Sequence, residues 1–195
     1  MRRVDTRSRF LPRLAKLAEL DELRELMALS IRGLVGAYLD PARVEASFEI
    51  MGVDTQLIED RTYFAVESED RIVGCGGWSR RATLFGGDHS AGRDARLLDP
   101  AKEPARIRAM YTHPDFARQG IGRIILSSCE TAAAGEGFRS LELVATVAGE
   151  PFYLAGGFRI IERIDVPTSK GLTIPCARME RMIRGAGHPA GVESS

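Results

Sequence analysis

Ala117-Arg118-Gln119-Gly120-Ile121-Gly122-Arg123 is the stretch on which the reading of this chain turns. It lies between a run able to form a strand, Arg106 to Thr112, and a strongly amphipathic helical pattern. A strand that ends in a glycine-containing turn and feeds a helix presents unpaired main-chain N–H groups to an anion, with an effective charge of about +0.5 at the helix start. Glycine at 120 and 122 lets ligand oxygens approach the main chain, and Arg118 and Arg123 add positive charge beside it. The stretch reads as a pyrophosphate cradle. Taken alone, Gly-x-Gly before a helix reads equally as tight packing, so the surroundings decide.

Those surroundings exclude two other phosphate motifs. A dinucleotide fingerprint places its first glycine directly after the strand and an acidic residue after the following one, whereas here the glycines come late and Leu141–Thr146 is followed by Ala148-Gly149. No Gly-Lys-Ser/Thr follows, which excludes a Walker loop. Downstream, Ile121, Ile124, Ile125, Cys129 and Ala132 share a helix face up to the stop at Gly135-Glu136-Gly137. A strand is predicted over Leu141–Thr146, a short helix from Pro151 to Gly156-Gly157, and strands over Phe158–Ile164 and Thr173–Met182.

Upstream, His113-Pro114-Asp115 breaks the strand. Residues 86–103 carry Gly, Asp, His, Arg and Pro without periodicity and read as a long surface loop. Thr62–Val66 and Ile72–Trp78 form a hairpin around Glu69-Asp70-Arg71. Leu20, Leu23, Met27, Ile31, Leu34 and Tyr38 repeat at helical spacing, and Asp40-Pro41 caps a second helix with Val44, Phe48 and Met51 on one face. The order implies an α+β fold with a mixed sheet. We read one domain over 1–184 and a flexible tail over 185–195.

The 195 residues, 44% hydrophobic and 28% charged, suit one soluble core, and 27 basic against 27 acidic residues give no average field for nucleic acid or membrane. Cys75, Cys129 and Cys176 stand apart with no metal-ligand spacing, so no metal is expected and the thiols suit a cytoplasmic protein. The arginine-rich start (Arg2, Arg3, Arg7, Arg9) lacks the apolar run of a secretory signal, and no run is long enough to span a membrane.

The residues that decide the matter are Tyr111-Thr112-His113-Pro114, then Ala117 to Gly122, then strand Leu141–Thr146, then Phe152-Tyr153-Leu154-Ala155-Gly156-Gly157-Phe158. In this order the chain resembles the GNAT superfamily of acyl-CoA N-acyltransferases. The match is firm over the second half and looser through the helical hairpin and Ile72-Val73-Gly74. Ala117 departs from the Arg or Gln expected at the first motif position, which leaves more of the phosphate binding to main-chain donors, with Arg118 or Arg123 as compensation.

The resemblance implies a central mixed, mostly antiparallel sheet with one splayed strand pair, flanked by about four helices. It implies acetyl-CoA as cosubstrate, its pantetheine arm lying between strands 106–112 and 141–146. The cofactor contacts it assigns are Met110, Tyr111, Thr112, Arg118, Gln119, Gly120, Ile121, Gly122, Arg123 and Thr146. A main-chain N–H near Met110 polarises the thioester carbonyl, a contact typically worth about 2.7–4 kcal/mol, and Tyr153 is the general acid for the thiolate. Removing a proton from an alkylamine of pKa about 10.4 at neutral pH costs about 4–5 kcal/mol, so a base is expected. Glu142, Glu67 and His113 are the candidates, with Glu142 favoured.

Trp78 and Arg80, with Arg81, are candidates for the acceptor pocket, or else a solvated strand end. The expected partners are acetyl-CoA and a primary amine, without nucleic acid or membrane, and a homodimer is admissible. Two other readings stand beside this one. The first is a catalytically silent CoA-sensing or protein-contact module, suggested by Ala117 and the lack of an obvious base. The second is nucleic-acid binding through Arg80, Arg81, Arg106 and Arg108.

Overall fold

In the computed structural model, which describes residues 10–90 and 92–183, seven strands share one sheet. In chain order they are β1 (Pro12–Leu14), β2 (Tyr63–Ser68), β3 (Arg71–Ser79), β4 (Ala105–Thr112), β5 (Ser140–Thr146), β6 (Arg159–Pro167) and β7 (Thr173–Met182). Side by side they run β1-β2-β3-β4-β5-β7-β6. Every neighbouring pair is antiparallel except β4 with β5. This is the mixed α+β sheet that the element order implied. The N-terminal arginines and the tail read over 185–195 lie outside the described residues.

Among the described residues, five α-helices accompany the sheet: α1 (Leu20–Leu34), α2 (Pro41–Ser47), α3 (Thr55–Glu59), α4 (Ile121–Gly135) and α5 (Glu150–Ala155). Ile121, Ile125, Leu126, Cys129 and Ala133 of α4 pack with Val66, Val73, Trp78, Ile107 and Leu141 in one cluster. Leu23, Leu26 and Ile31 of α1 join Leu57 and Ile58 of α3 against Tyr63, Ala65, Ile72, Cys75 and Tyr111 in another. Two apolar clusters on one sheet match the alternation of side chains along a strand, seen at Ala65 and Val66.

Several boundaries differ from the reading of the sequence. The first helix begins after a 3-10 turn at Leu17–Glu19 and ends at Leu34, so Tyr38 is left exposed. Asp40 caps α2 as expected, accepting from the Arg43 N–H at 3.0 Å, but α2 stops at Ser47. A separate helix, α3, follows, with Asp54 as its cap. Glu69 and Asp70 take φ of 52° and 61° between β2 and β3, the left-handed pair that a tight hairpin uses.

The stretch read as a surface loop is tied down. Leu98 N–H donates to the Arg80 carbonyl, Ala82 N–H to Arg96 and Thr83 N–H to Asp94, an irregular antiparallel excursion with a bridge from Arg81 to Leu97. Its inner side meets Arg108, whose guanidinium donates to the carbonyls of Thr83 (2.8 Å) and Gly86 (2.7 Å) and to Asp54 (3.0 Å). Arg108 and Asp54 are both almost fully buried, and Arg93 of the loop meets the other Asp54 oxygen at 2.6 Å. Desolvation pushes the Arg108 guanidinium below its ordinary range, against the charge of Asp54 that holds it up.

A buried charge deprived of its partner is strongly destabilising. Asp54→Ala strands Arg108, leaves Arg93 with Asp88 alone and uncaps α3, and is expected to cost about 3–5 kcal/mol in a denaturant titration. Asp40→Ala, which removes an exposed cap, is expected to cost about 1 kcal/mol. Equal losses would show that the buried pair does not hold the loop.

Candidate functional site

β4 and β5 run parallel but pair only at Ala105 with Leu141 and Arg106 with Glu142. Beyond that point β4 stays with β3 as far as Thr112 and β5 stays with β7 as far as Thr146, so their facing edges part into a wedge. Unpaired main-chain groups along such edges serve an extended ligand as they would an added strand. A cavity of about 110 Å³ occupies the wedge, walled by Ile107 to Tyr111, Val144 to Thr146, Cys176, Gly149 and Tyr153. Ile50 to Gly52 and Leu84 to Gly86 form its other side.

The wedge has a locked base. Glu142 is buried and forms ion pairs with Arg106 of β4 and Arg178 of β7. Burial lowers the Arg106 guanidinium from its ordinary range, and Arg178 adds to the effect. Glu142 was the favoured base in the sequence. The structure gives its two oxygens to two arginines and leaves it out of the cavity wall, so it is not positioned to receive a proton from an acceptor.

At mid-strand β4 bulges. Gly77 opposes Arg108 and Cys75 opposes Tyr111, so Ala109 and Met110 together face Gly76. Ala109 sits at φ 50°, a left-handed conformation that costs a residue with a Cβ about 1–2 kcal/mol. The surroundings hold it there: the Tyr63 hydroxyl donates to the Ala109 carbonyl at 2.8 Å. A bulge re-aims the main chain and takes it out of the ladder, here at the Met110 position expected to polarise a carbonyl. Tyr111 anchors the next residue, its hydroxyl donating to the Gly52 carbonyl at 3.2 Å.

The start of α4 lies on the same face as α5. A Cβ at Gly122 would stand 3.3 Å from Phe152 Cζ, and a Cβ at Gly74 of β3 would strike Ile121, so glycines seat the helix on the sheet and against α5. Arg118 (φ 64°) and Gly120 (φ 89°) are left-handed, and the helical ladder opens only with Ile124 N–H donating to the Gly120 carbonyl at 3.1 Å. The preceding amides are the unsatisfied donors of a helix start. A Cβ at Gly120 would meet nothing within 4 Å, so the space beside it is open. Arg118 and Arg123 are exposed, and no ion pair among the described residues engages them.

The structure therefore gathers Met110, Tyr111, Thr146 and Tyr153 on one cavity and Arg118, Gln119, Gly120, Ile121, Gly122 and Arg123 at one helix start. Ile121 is buried in the core, and Gln119 Nε2 donates to the Asp115 carbonyl at 3.2 Å. Thr112 lies past the cavity, its N–H donating to Ser30 Oγ at 3.3 Å. The Tyr153 hydroxyl has no hydrogen-bond partner among the described residues, and burial raises its pKa, so the phenol keeps its proton at neutral pH.

The expected acceptor pocket is elsewhere. Trp78 is buried edge-on to Phe138 and opposes Ile107 near the closed end of the wedge, away from the cavity wall. Arg80 pairs with Glu136 and lies over the Trp78 ring, and Arg81 pairs with Asp60. With Arg106 on Glu142 and Arg108 on Asp54, all four arginines of the suggested nucleic-acid cluster face carboxylates. Of the other base candidates, Glu67 pairs with Arg13, and His113 Nδ1 accepts from the Asp115 N–H at 3.2 Å. The sequence reading missed Ile50, Met51, Leu84 and Phe85, which carry no chemical signature. It also missed the Arg108–Asp54 pair, whose signal was an arginine in a strand of apolar neighbours.

A family model described as acetyltransferase (GNAT) domain matches residues 59–160. No curated protein matches the chain. Among solved structures, a GCN5-related N-acetyltransferase from Rhodopseudomonas palustris superposes with a TM-score of 0.65 at 16% identity, over 88% of this chain and 94% of that one. PaiA N-acetyltransferase from Thermoplasma acidophilum, solved in complex with coenzyme A, gives 0.58 at 14%, over 89% and 98%. An N-acetyltransferase from Staphylococcus aureus gives 0.60 at 14%, over 90% and 99%. At such identities the likeness is one of fold. Among the described residues no helix is long and apolar enough to cross a membrane, and no group of His, Cys, Asp and Glu could hold a metal ion.

Glu142→Gln separates the two readings of that residue. As a lock between arginines its loss is expected to lower stability by about 3–5 kcal/mol and to leave the pH dependence of turnover in place. Unchanged stability with a vanished ionisation in the pH–rate profile would restore Glu142 as the base.

Proposed function

Since this chain belongs to the GNAT acetyltransferase family, we propose that it moves an acetyl group from acetyl-CoA to a primary amine by direct attack of the amine on the thioester. The observation that carries the reading is the wedge that opens after Arg106–Glu142, with a glycine-lined helix start on the same face as one of its walls. The diphosphate rests on the amides before Ile124, aided by Arg118 and Arg123. The pantetheine arm pairs along the freed edges of β4 and β5, with Thr146 at the end of the latter. The thioester then reaches the bulge, where a main-chain N–H at Met110 receives the developing oxyanion.

The amine nitrogen bonds to the carbonyl carbon, the tetrahedral adduct collapses, and the carbon–sulfur bond breaks to leave the CoA thiolate. Tyr153 is the donor at that sulfur. Because burial raises the phenol above an ordinary thiol of pKa about 8.5, full transfer from Tyr153 runs uphill. Its contribution is the hydrogen bond that stabilises the thiolate, and the balance closes when the proton shed by the amine as the amide forms is taken up by that thiolate to give CoA thiol. We assign residues 1–184 to this one domain and the tail over 185–195 lies beyond it. A cytoplasmic setting fits three free, buried cysteines.

A silent CoA-binding module remains the second reading, favoured by one observation: no carboxylate or imidazole is among the described residues lining the cavity. Acetyl-CoA at about 100 times its Kd is expected to raise the Tm by about 5 °C or more, and Gly120→Asp to abolish the shift. Tyr153→Phe is expected to keep the shift and to lose about 10- to 150-fold in kcat, the worth of one hydrogen bond to a charged group. A wild-type shift without free thiol release over a broad amine panel selects the silent module, and no shift at all refutes both readings.

A further inference from the structure

The side of the wedge opposite Tyr153 is apolar. Ile50 and Met51 reach it from the segment after α2, and Leu84 and Phe85 from the excursion before β4. Phe85 keeps 37% of its surface exposed at the rim. Ile50 also packs with Val144, Ile164 and Leu172 in the cluster around Cys176, which extends the apolar surface beyond the cavity.

The charges near this wall are already engaged. Among the described residues, Arg108 is the one charged side chain lining the cavity, and it is spent on Asp54 and the carbonyls of Thr83 and Gly86. Asp54 and Asp88 in turn hold Arg93. Glu49, next to Ile50, accepts from the Ser169 N–H at 2.7 Å and hydroxyl at 3.0 Å. Asp165 lies one register step from Cys176 on the neighbouring strand and, after burial, helps to push that thiol up to about 12. Tyr111 donates to Gly52, and Tyr111 and Tyr153 are raised by burial. His89 stands behind Gly52, outside the cavity lining, with its Nε2 on the Phe48 carbonyl at 2.7 Å. An approaching amine thus finds no carboxylate in the lining to hold it as ammonium and no imidazole there to deprotonate it.

Resting on the acetyl-transfer reading above, the geometry points to a weakly basic amine on an apolar body as the acceptor. Such a wall admits the neutral amine and excludes the ammonium, which loses its hydration there without a partner. The consequence is numerical. At pH 7 an alkylamine of pKa about 10.4 is neutral in about one molecule in 2,500, whereas an α-amine of pKa about 8 is neutral in about one in ten. A site without a base inherits that ratio, so the ionisation seen in the pH–rate profile belongs to the substrate. Polyamines and other multiply charged amines are the poorest acceptors.

The test uses the full chain and acetyl-CoA, with CoA release followed as free thiol. The probes are phenethylamine, its β,β-difluoro analogue (nearly the same shape, less basic), the amide of a leucine-terminated peptide, and spermidine. At pH 7 the difluoro amine is expected to exceed phenethylamine by about tenfold in kcat/KM, because its larger neutral fraction is partly offset by its weaker nucleophilicity, with the gap closing as pH rises toward the amine pKa. Spermidine should trail both. Activity on the peptide or on the small amines alone tells which source supplies this chemistry. Phe85→Glu, which places a carboxylate at the rim, should raise the spermidine-to-phenethylamine ratio several-fold.

Preference for spermidine, a pH–rate break at one value for every amine, or an unchanged ratio in Phe85→Glu overturns the inference and leaves acetyl transfer standing. Release of thiol with none of the probes sinks acetyl transfer to amines and this inference together.

Discussion

Two arginines from neighbouring strands close on one buried carboxylate, and the wedge depends on where they do so. Glu142 meets Arg106 of β4 on one side and Arg178 of β7 on the other, at the last register pair that β4 and β5 share. A carboxylate with so little access to water persists paired or not at all. The clamp therefore marks a definite residue at which a parallel pair stops being a pair. Everything on the open side of that residue, from the cavity to the freed strand edges, follows from the strands keeping their other partners while losing each other.

The second constraint is a set of glycines that remove side chains where the layers must touch. Gly74 leaves room for Ile121 and Gly122 leaves room for Phe152, which seats the start of α4 between the sheet and α5. Gly120 is different: its positive φ is a conformational demand, and the space beside it is open. One glycine serves the turn while its neighbours serve the packing. The helix start proposed as the phosphate cradle is thus held by contacts buried beneath it, and its own surface stays free.

Much of this was legible in the chain. Hydrophobic period located α1, α4 and the central strands, and Asp40-Pro41 located α2, because capping and periodicity are local properties. The turn into α4 was readable because glycine positions relative to a strand and a helix carry a physical meaning. Glu142 and Trp78 misled because sequence shows what a side chain can do and not which way a strand faces it: both are turned into the interior, one to arginines, the other to Phe138. α3 was missed because a helix of five residues is too short to display a period. The bulge at Ala109 left no mark either, since its left-handed residue is an alanine supported by a tyrosine hydroxyl from another strand.

Arg108 belongs to β4 and ties to it the wall proposed to face the acceptor. Its guanidinium is fixed by carbonyls of the excursion and by the cap of α3, so that wall is anchored to the sheet and does not swing as an independent flap. Grafting a foreign loop of different length would strip those acceptors from a cation that has no route to water. On the reading proposed above, acceptor range in proteins built this way diversifies by exchanging the side chains at 84 and 85, while the length of the segment carrying them stays constrained.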